Sequence, residues 1–555
     1  MINNKKLVGV TYTPLELANF VSSRIYKHVE SKKKLKILDP ACGDGELLLS
    51  IQNKLNNKFN IELNGFDIDQ EAILNIKKRF IANKKISLNF LQKDFINELV
   101  KLRYPLLNQE ILKNKYDIII CNPPYVRTQH MDKNTITKIS NLFEVTGRLD
   151  LYHAFSAGLK YFLKENGVVG LIISNRFMSI KSGEFLRSYF FNEFSIEEIY
   201  DFGDTKLFKD SVLPSVLILK NKTKKNTKPV FKSIYEIGEK IKSNKITKCT
   251  NITKSLEKSS DCLLNINNKF YSVRVGCLEI LNKKDTWNIT NNKTKSFFKN
   301  VKKNTHCYFG DISKSKVGVK TTADNVFLVN DEQIKKFNIE KKLIKNLIIH
   351  KNIDKWKCNN KIYKKILYPY ETHNGLKRVL DLDEYVNAKK YFKSHYNQLN
   401  SRSYISKSNR KWYEIWVPHH PDEWKKNKII FRDISEEGRF SLSEDNCVVN
   451  GDCYWMKVEK KYEKFKWLIL AIGNSKFIIN YYDNKFSNKL YSNKRRFISQ
   501  YVDKFPLPDP NNKISIEIIK LAKQIYTKYE NMSSKDLKLL ENKINEHVYR
   551  VFQLK

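Results

Sequence analysis

A six-residue run, Tyr116-Asp117-Ile118-Ile119-Ile120-Cys121, stops abruptly at Asn122-Pro123-Pro124-Tyr125. Apolar side chains on successive positions suit a short strand covered on both faces. The two prolines end it, because each fixes φ and removes a backbone donor. The strand therefore gives way to a stiff lip with free carbonyls, an amide oxygen and a flat π surface. That set suits a planar group bearing an NH2, such as adenine. In isolation the same four residues read equally well as a strand followed by a Pro-Pro loop, so the surrounding pattern has to decide.

That pattern is an alternation of short apolar runs with helical periodicity from residue 34 to about 220, the mark of an α/β fold with a parallel sheet. Runs at 36–38, 61–66, 86–91, 116–121, 167–174, 197–202 and 212–219 read as strands, the last closing a hairpin. The turn Asp39-Pro40-Ala41-Cys42-Gly43-Asp44-Gly45 follows the first strand, and 46–55 continues as a helix with an apolar stripe. Gly43 and Gly45 permit positive φ and close approach of a ligand to the backbone. The second strand ends at Asp67-Ile68-Asp69 and the third near Asp94-Phe95. Ligands of open α/β sheets sit outside the carboxyl ends of the strands, so these groups should converge with Asn122 on one crevice. Each is weak alone, since an Asp at a strand end is often only a helix cap.

Composition sets outer bounds. A chain of 555 residues with 41% hydrophobic content supports more than one packed domain. A net charge of +42 attracts a polyanion, and DNA or RNA is the default partner. An AT-rich coding bias inflates lysine and offers the bland reading, yet acidic residues are scarce beyond it. No apolar stretch reaches the length of a membrane span, and residues 1–6 lack the apolar core of a signal peptide. The nine cysteines show no zinc spacing and read as reduced thiols of a cytoplasmic protein.

The ordered set resembles the class I S-adenosylmethionine-dependent methyltransferases and, more narrowly, the gamma-type, TaqI-like DNA N6-adenine methyltransferases. Gly9-Val10-Thr11-Tyr12-Thr13-Pro14 is similar to that group's N-terminal cofactor motif, 39–45 to its Gly-rich motif, and Asn122-Pro123-Pro124-Tyr125 to its catalytic motif. The resemblance implies a Rossmann-like, seven-stranded catalytic domain at 1–220. The polar, basic stretch 221–230 reads as a linker, the resemblance places a mixed α+β target-recognition domain at 231–512, and 513–555 reads as a helical segment. Within the recognition region, 318–325 and Phe505-Pro506-Leu507-Pro508 are similar to stretches of such domains, with Thr322 where relatives often carry Gly.

Residue by residue, the resemblance implies that Thr13, Asp39, Ala41 and Gly43 line the methionine end of S-adenosyl-L-methionine. Asp67 would bind the ribose hydroxyls and Ile68 pack on the cofactor's adenine. Asp94 would accept from the cofactor's amino group beside Phe95, and Pro124 and Phe155 would close the pocket. Asn122, the Pro123 carbonyl and Tyr125 would hold a flipped target base, with Phe208 on its second face; Phe202 is the neighbouring alternative, and Phe208 reads also as a loop aromatic tucked under the hairpin. The partner would be double-stranded DNA, met by a monomer belonging to a restriction–modification system with a cognate endonuclease or acting as an orphan. Arg402, Arg410, Lys411, Arg432, Lys494, Arg495 and Arg496 are the candidate DNA contacts, although any one of them alone reads better as a solvated charge. Rival readings are an RNA or protein-glutamine N-methyltransferase, a non-catalytic DNA-binding subunit and a fused nuclease. No metal is called for.

Overall fold

The computed structural model describes residues 12–30, 32–56, 58–102, 114–145, 149–208, 213–222, 228–237, 246–280, 282, 284–359, 364–486, 489–490 and 493–554. Gly9, Val10 and Thr11 of the N-terminal motif, and 223–227 of the expected linker, lie outside them. The chain forms two compact units, 1–292 with 486–493, and 293–485 with 494–555.

The first unit alternates α1 (Leu15–Tyr26), β1 (Lys34–Asp39), α2 (Glu46–Leu55), β2 (Asn60–Asp67), α3 (Gln70–Arg79), β3 (Ile86–Gln92), α4 (Phe95–Lys101) and β4 (Tyr116–Cys121). It continues with α5 (Lys133–Phe143), α6 (Leu151–Phe162), β5 (Leu163–Ser174), α7 (Glu184–Glu193), β6 (Phe194–Asp201) and β7 (Pro214–Asn221). The spatial order is β3-β2-β1-β4-β5-β7-β6. Strands β1 to β5 pair in parallel, while β7 runs antiparallel between β5 and β6. This is the Rossmann-like arrangement expected from the sequence, a mostly parallel sheet with one antiparallel strand near its edge.

All six residues of β4 are buried. Ile118 and Ile120 enter the cluster formed with α1, α2 and α3, whereas Ile119 and Cys121 enter the one formed with α4, α6 and α7. Period-two alternation into two covered faces explains why the strand reads as a continuous apolar run.

The sheet does not stop at seven strands. After β7 come β8 (Val230–Ile237), β9 (Ile246–Lys248), β10 (Cys262–Ile266), β11 (Lys269–Leu278) and β12 (Ile289–Thr290), making twelve in one sheet. β8 pairs in parallel with β6. The described strands on either side of 223–227 therefore belong to one unit, and the division between the two units falls at 292–293 rather than at 221–230. The open edge of β6 that takes up β8 is invisible in sequence.

The second unit is mixed α+β. It holds a five-stranded sheet (Lys316–Val317, Cys453–Met456, Lys428–Arg432, Phe440–Ser443, Trp356–Lys357) and a four-stranded one (Leu328–Val329, Lys364–Leu367, Ile344–Ile348, Val448–Val449). Helices Lys513–Lys528 and Ser534–Val551 form the C-terminal segment. They belong to this unit: Tyr526 packs 5.5 Å from Trp467, and Trp356 Nε1 donates to Glu541 at 2.8 Å.

Candidate active site

The Gly-rich turn is shaped by what it must clear. Gly43 and Gly45 sit at φ of +50° and +83°, a region that favours glycine. A Cβ on Gly45 would lie 2.7 Å from Ile76 Cδ1, so the turn seats directly on α3. Asp39, the last residue of β1, is 1% exposed, and its Oδ1 accepts the Ala41 N–H at 3.1 Å. Asp67 braces the turn from the next strand: Oδ2 accepts the Gly43 N–H at 2.8 Å and Oδ1 the Asp69 N–H at 3.0 Å. Asp94 caps α4, its Oδ1 accepting the Ile96 N–H at 2.8 Å.

At the end of β4, Asn122 Nδ2 donates to Thr13 Oγ1 at 3.1 Å, which fixes the amide and turns its oxygen the other way. The loop beyond is stapled to the start of α6. Leu151 N–H donates to the Val126 carbonyl at 2.9 Å, and Thr128 N–H to Asp150 Oδ1 at 3.0 Å.

These elements enclose one cleft of about 360 Å³, lined among others by Thr13, Asp39, Ala41, Gly43, Asp67, Ile68, Asp94, Phe95, Asn122, Pro123, Pro124 and Phe155. Every cofactor-side residue expected from sequence is therefore brought to one place. Phe95 and Phe155 pack at 5.0 Å, while Ile68 leaves 56% of its surface open. His130, Met131, Asp132 and Thr135 also line the cleft and were not anticipated. They come from the segment leading into α5, whose direction is set by the Asp150 staple rather than by any local pattern.

Two expected residues lie elsewhere. Tyr125 is not among the cleft-lining side chains; its hydroxyl donates to the Ile172 carbonyl at 3.4 Å and its ring sits 5.8 Å from Tyr152. Phe208 is 4% exposed and belongs to the cluster beneath α1 with Phe20 and Phe202. It is a core aromatic here, because the loop after β6 folds it onto the opposite face of the sheet from Tyr125.

The electrostatics are carried by carboxyls. Burial pushes Asp39 up to about 8, with Asp67 and Asp44 adding to the rise and the Ala41 N–H opposing it. Burial holds His153 down to about 4, so this histidine is neutral; its Nδ1 accepts the Asp150 N–H at 3.1 Å. Tyr125 is raised well above the usual phenol range by burial. S-adenosylmethionine fits this set of groups. Its sulfonium and α-ammonium charges answer a carboxyl that burial and two neighbouring carboxylates keep protonated, and its purine answers an uncovered isoleucine in a cleft also lined by paired phenylalanines. Among the described residues no group of three or more His, Cys, Asp or Glu is placed to hold a metal ion.

In the second unit the expected DNA contacts divide. Arg402, 8% exposed, donates to the carbonyls of Leu399 (2.8 Å), Thr321 (3.0 Å) and Trp412 (2.7 Å). Arg495, 3% exposed, grips Asp483 at 2.6 and 2.7 Å. Arg432 donates twice to the Ile353 carbonyl, at 2.9 and 2.6 Å, and Arg496 pairs with Asp433. These four hold the fold together. Arg410 reaches the Trp416 carbonyl at 2.9 Å from an exposed position, and Lys411 and Lys494 are exposed.

Residues 31–208 match the family model described as Eco57I restriction-modification methylase. The Type II methyltransferase M.BanIII of Aneurinibacillus aneurinilyticus is 36% identical over 567 residues, covering 98% of this chain and 97% of that protein. The Type II methyltransferase M.BstVI of Geobacillus stearothermophilus is 22% identical over 533 residues, 91% of each chain. Among solved structures, the DrdV–DNA complex matches with a TM-score of 0.51 at 12% identity, over 94% of this chain and 57% of that one, a likeness of fold alone. The match to M.BanIII runs across both units of this chain, and the chain belongs to the Type II restriction–modification methyltransferases, with S-adenosylmethionine as methyl donor.

Proposed function

We propose that the chain methylates N6 of adenine within a specific duplex DNA sequence, taking the target base out of the stack into the cleft. The observation that carries this reading is the Asn122-Pro123-Pro124 lip at the end of β4, opening into the same cleft as Asp39 and Asp67. The adenine amine is a poor nucleophile because its lone pair is delocalised into the ring. Two acceptors, Asn122 Oδ1 and the Pro123 carbonyl, would each take one N6–H and favour a more tetrahedral nitrogen. They would also stabilise the positive charge that develops there. The amide nitrogen donates to Thr13 Oγ1, which holds the Asn122 side chain in place at the lip. The bound cofactor supplies an activated methyl group.

Alignment of two held reactants accounts for about 7–11 kcal/mol of barrier, and no general base is required. His153 is buried with Nδ1 already engaged and does not line the cleft; the imidazole that does, His130, has Nε2 3.1 Å from Gln129 Nε2. Extrusion of the base costs about a few kcal/mol. Tyr125 beside the lip would offset part of it by stacking, about 1–3 kcal/mol, once its ring turns out from Tyr152. Phe208 as the second stacking surface would require its loop to leave the core. The surplus of lysine and arginine supports a polyanionic substrate.

The remaining features of this reading are a cytoplasmic protein acting as a monomer alongside a cognate endonuclease. The test is Asn122→Ala with labelled cofactor, duplex DNA, RNA and glutamine-bearing protein as acceptors. Wild type should label duplex DNA at adenine; the variant should still bind cofactor and DNA but transfer at least ~100-fold more slowly, the loss seen when one aligned polar group is removed. Near wild-type transfer by Asn122→Ala refutes the catalytic assignment, and label in protein or RNA alone refutes the substrate.

A further inference from the structure

The second unit carries a two-stranded ribbon that joins neither of its larger sheets, Tyr370–His373 against Leu376–Val379. Its turn is Asn374-Gly375, with φ of +49° and +74°, the two-residue turn whose twist matches a hairpin. Register pairs Tyr370 with Val379, Glu371 with Arg378, Thr372 with Lys377 and His373 with Leu376.

The base of the ribbon is firmly held. Tyr370 is 3% exposed, and its hydroxyl receives the Ile415 N–H at 2.7 Å. Leu380 N–H donates to the Pro369 carbonyl at 3.0 Å. The tip is tied at one backbone point, where His420 Nε2 donates to the Gly375 carbonyl at 3.2 Å; His420 Nδ1 accepts the Asp422 N–H, which fixes the proton on Nε2.

The side chains of the outer half are left to solvent. Residues 373–378 are all exposed, and Leu376 shows 73% of its surface. The carboxylate on this face, Glu371, is paired with Lys342 at 2.9 Å. Lys377 lays its chain along the Tyr370 ring, with Nζ 5.5 Å from the centroid. A rigidly anchored ribbon thus ends in an amide, an imidazole, two cations and an uncovered aliphatic group.

The geometry points to this ribbon as a base-reading element that enters the major groove of duplex DNA. Strands lie about 4.8 Å apart, and a two-stranded ribbon fits a groove about 12 Å wide. Asn374 presents an amide of the kind that pairs with adenine, Arg378 a fork of the kind that pairs with guanine, and Leu376 an apolar surface for a thymine methyl.

The inference rests on the adenine-methyltransferase reading, and the test separates the two. The full chain is prepared as wild type, Asn374→Gly and Arg378→Ala; glycine keeps the positive φ at 374 while removing the amide. Melting temperatures check that the fold is kept. Single-turnover methylation and fluorescence anisotropy are then measured on duplexes with the target site, found first by long-read mapping of wild-type marks, and with each base pair of it changed in turn. Each variant should lose about ten- to a hundredfold in discrimination at one or two base pairs while its transfer rate on saturating target duplex is kept. Unchanged discrimination in both variants overturns the inference, and so does an equal loss on every sequence with a shallower salt slope, which marks phosphate contact. In both cases the wild type still methylates adenine and the reading of the cleft stands. A wild type that methylates no duplex brings down both.

Discussion

Asp39→Asn is the substitution on which the reasoning about the cleft is most exposed. The wild-type carboxyl is 1% accessible and burial raises it from 3.8 to about 8. Between those two values the unfolded chain has released its proton while the empty folded protein keeps it. Stability contributed by this group is thus complete below pH ~4 and is lost as pH rises toward about 8. At ~1.36 kcal/mol per pH unit the loss over that window is ~6 kcal/mol.

Asparagine keeps the acceptor for the Ala41 N–H and has nothing to ionise. The gap in stability between variant and wild type should therefore widen in the variant's favour from pH 5 to pH 8, measured by urea melts of the cofactor-free chain. Binding runs the other way. A cationic ligand beside Asp39 needs the carboxylate, so wild-type affinity for S-adenosylmethionine should climb about tenfold per pH unit below about 8 and then level. Calorimetry in two buffers of different ionisation enthalpy should show about one proton released per ligand bound near pH 6.5. The variant should bind weakly with no such slope. A flat wild-type affinity from pH 6 to 9, with no proton released, would refute the argument.

Three further perturbations rest on local geometry. Thr322 sits at φ +57°, exposed and β-branched, so Thr322→Gly should raise stability by about 0.5–1 kcal/mol in urea melts; a loss would show that the turn is not strained. Gly158→Ala would bring a Cβ within 2.4 Å of Leu99 Cδ1, in the packing of α6 on α4. It should destabilise by about 1–3 kcal/mol and lower cofactor affinity through Phe95 and Phe155 on the same two helices. Arg495→Met should cost about 3–5 kcal/mol by breaking the buried ion pair with Asp483, read as a fall in melting temperature. A weaker salt dependence of DNA binding at unchanged stability would instead mark it as a phosphate contact.

How far sequence reaches is visible in the two halves of the chain. Helix 46–55 and strand 116–121 match their observed bounds, because in a sheet covered on both faces the apolar runs are continuous and the turns between them carry Gly and Pro. Strand β8 was missed as part of that sheet. Its residues alternate like any half-buried strand, and only pairing with β6, more than twenty residues upstream, assigns it to the catalytic unit. Periodicity reports whether a segment is a strand, whereas partnership between distant strands leaves no local trace.

The same division governs the site. Asp39, Asp67, Asp94 and Asn122 were legible because a strand's carboxyl end is a fixed place: wherever the chain leaves a parallel sheet, the leaving residue faces the crevice. Position along the strand does the work that a contact map would otherwise have to do. Phe208 and the arginines had no such frame. An aromatic in a loop can turn toward a ligand or into the core with equal ease, and β6's loop turned it inward under α1. An arginine with five donors ties irregular loops together as readily as it meets a phosphate, which is how Arg402 comes to hold three carbonyls at once. Net charge is a property of the whole surface, whereas contact depends on the direction of each side chain. In the irregular second unit that direction is set by tertiary packing, so the exposed ribbon at 370–379 emerged only from the structure.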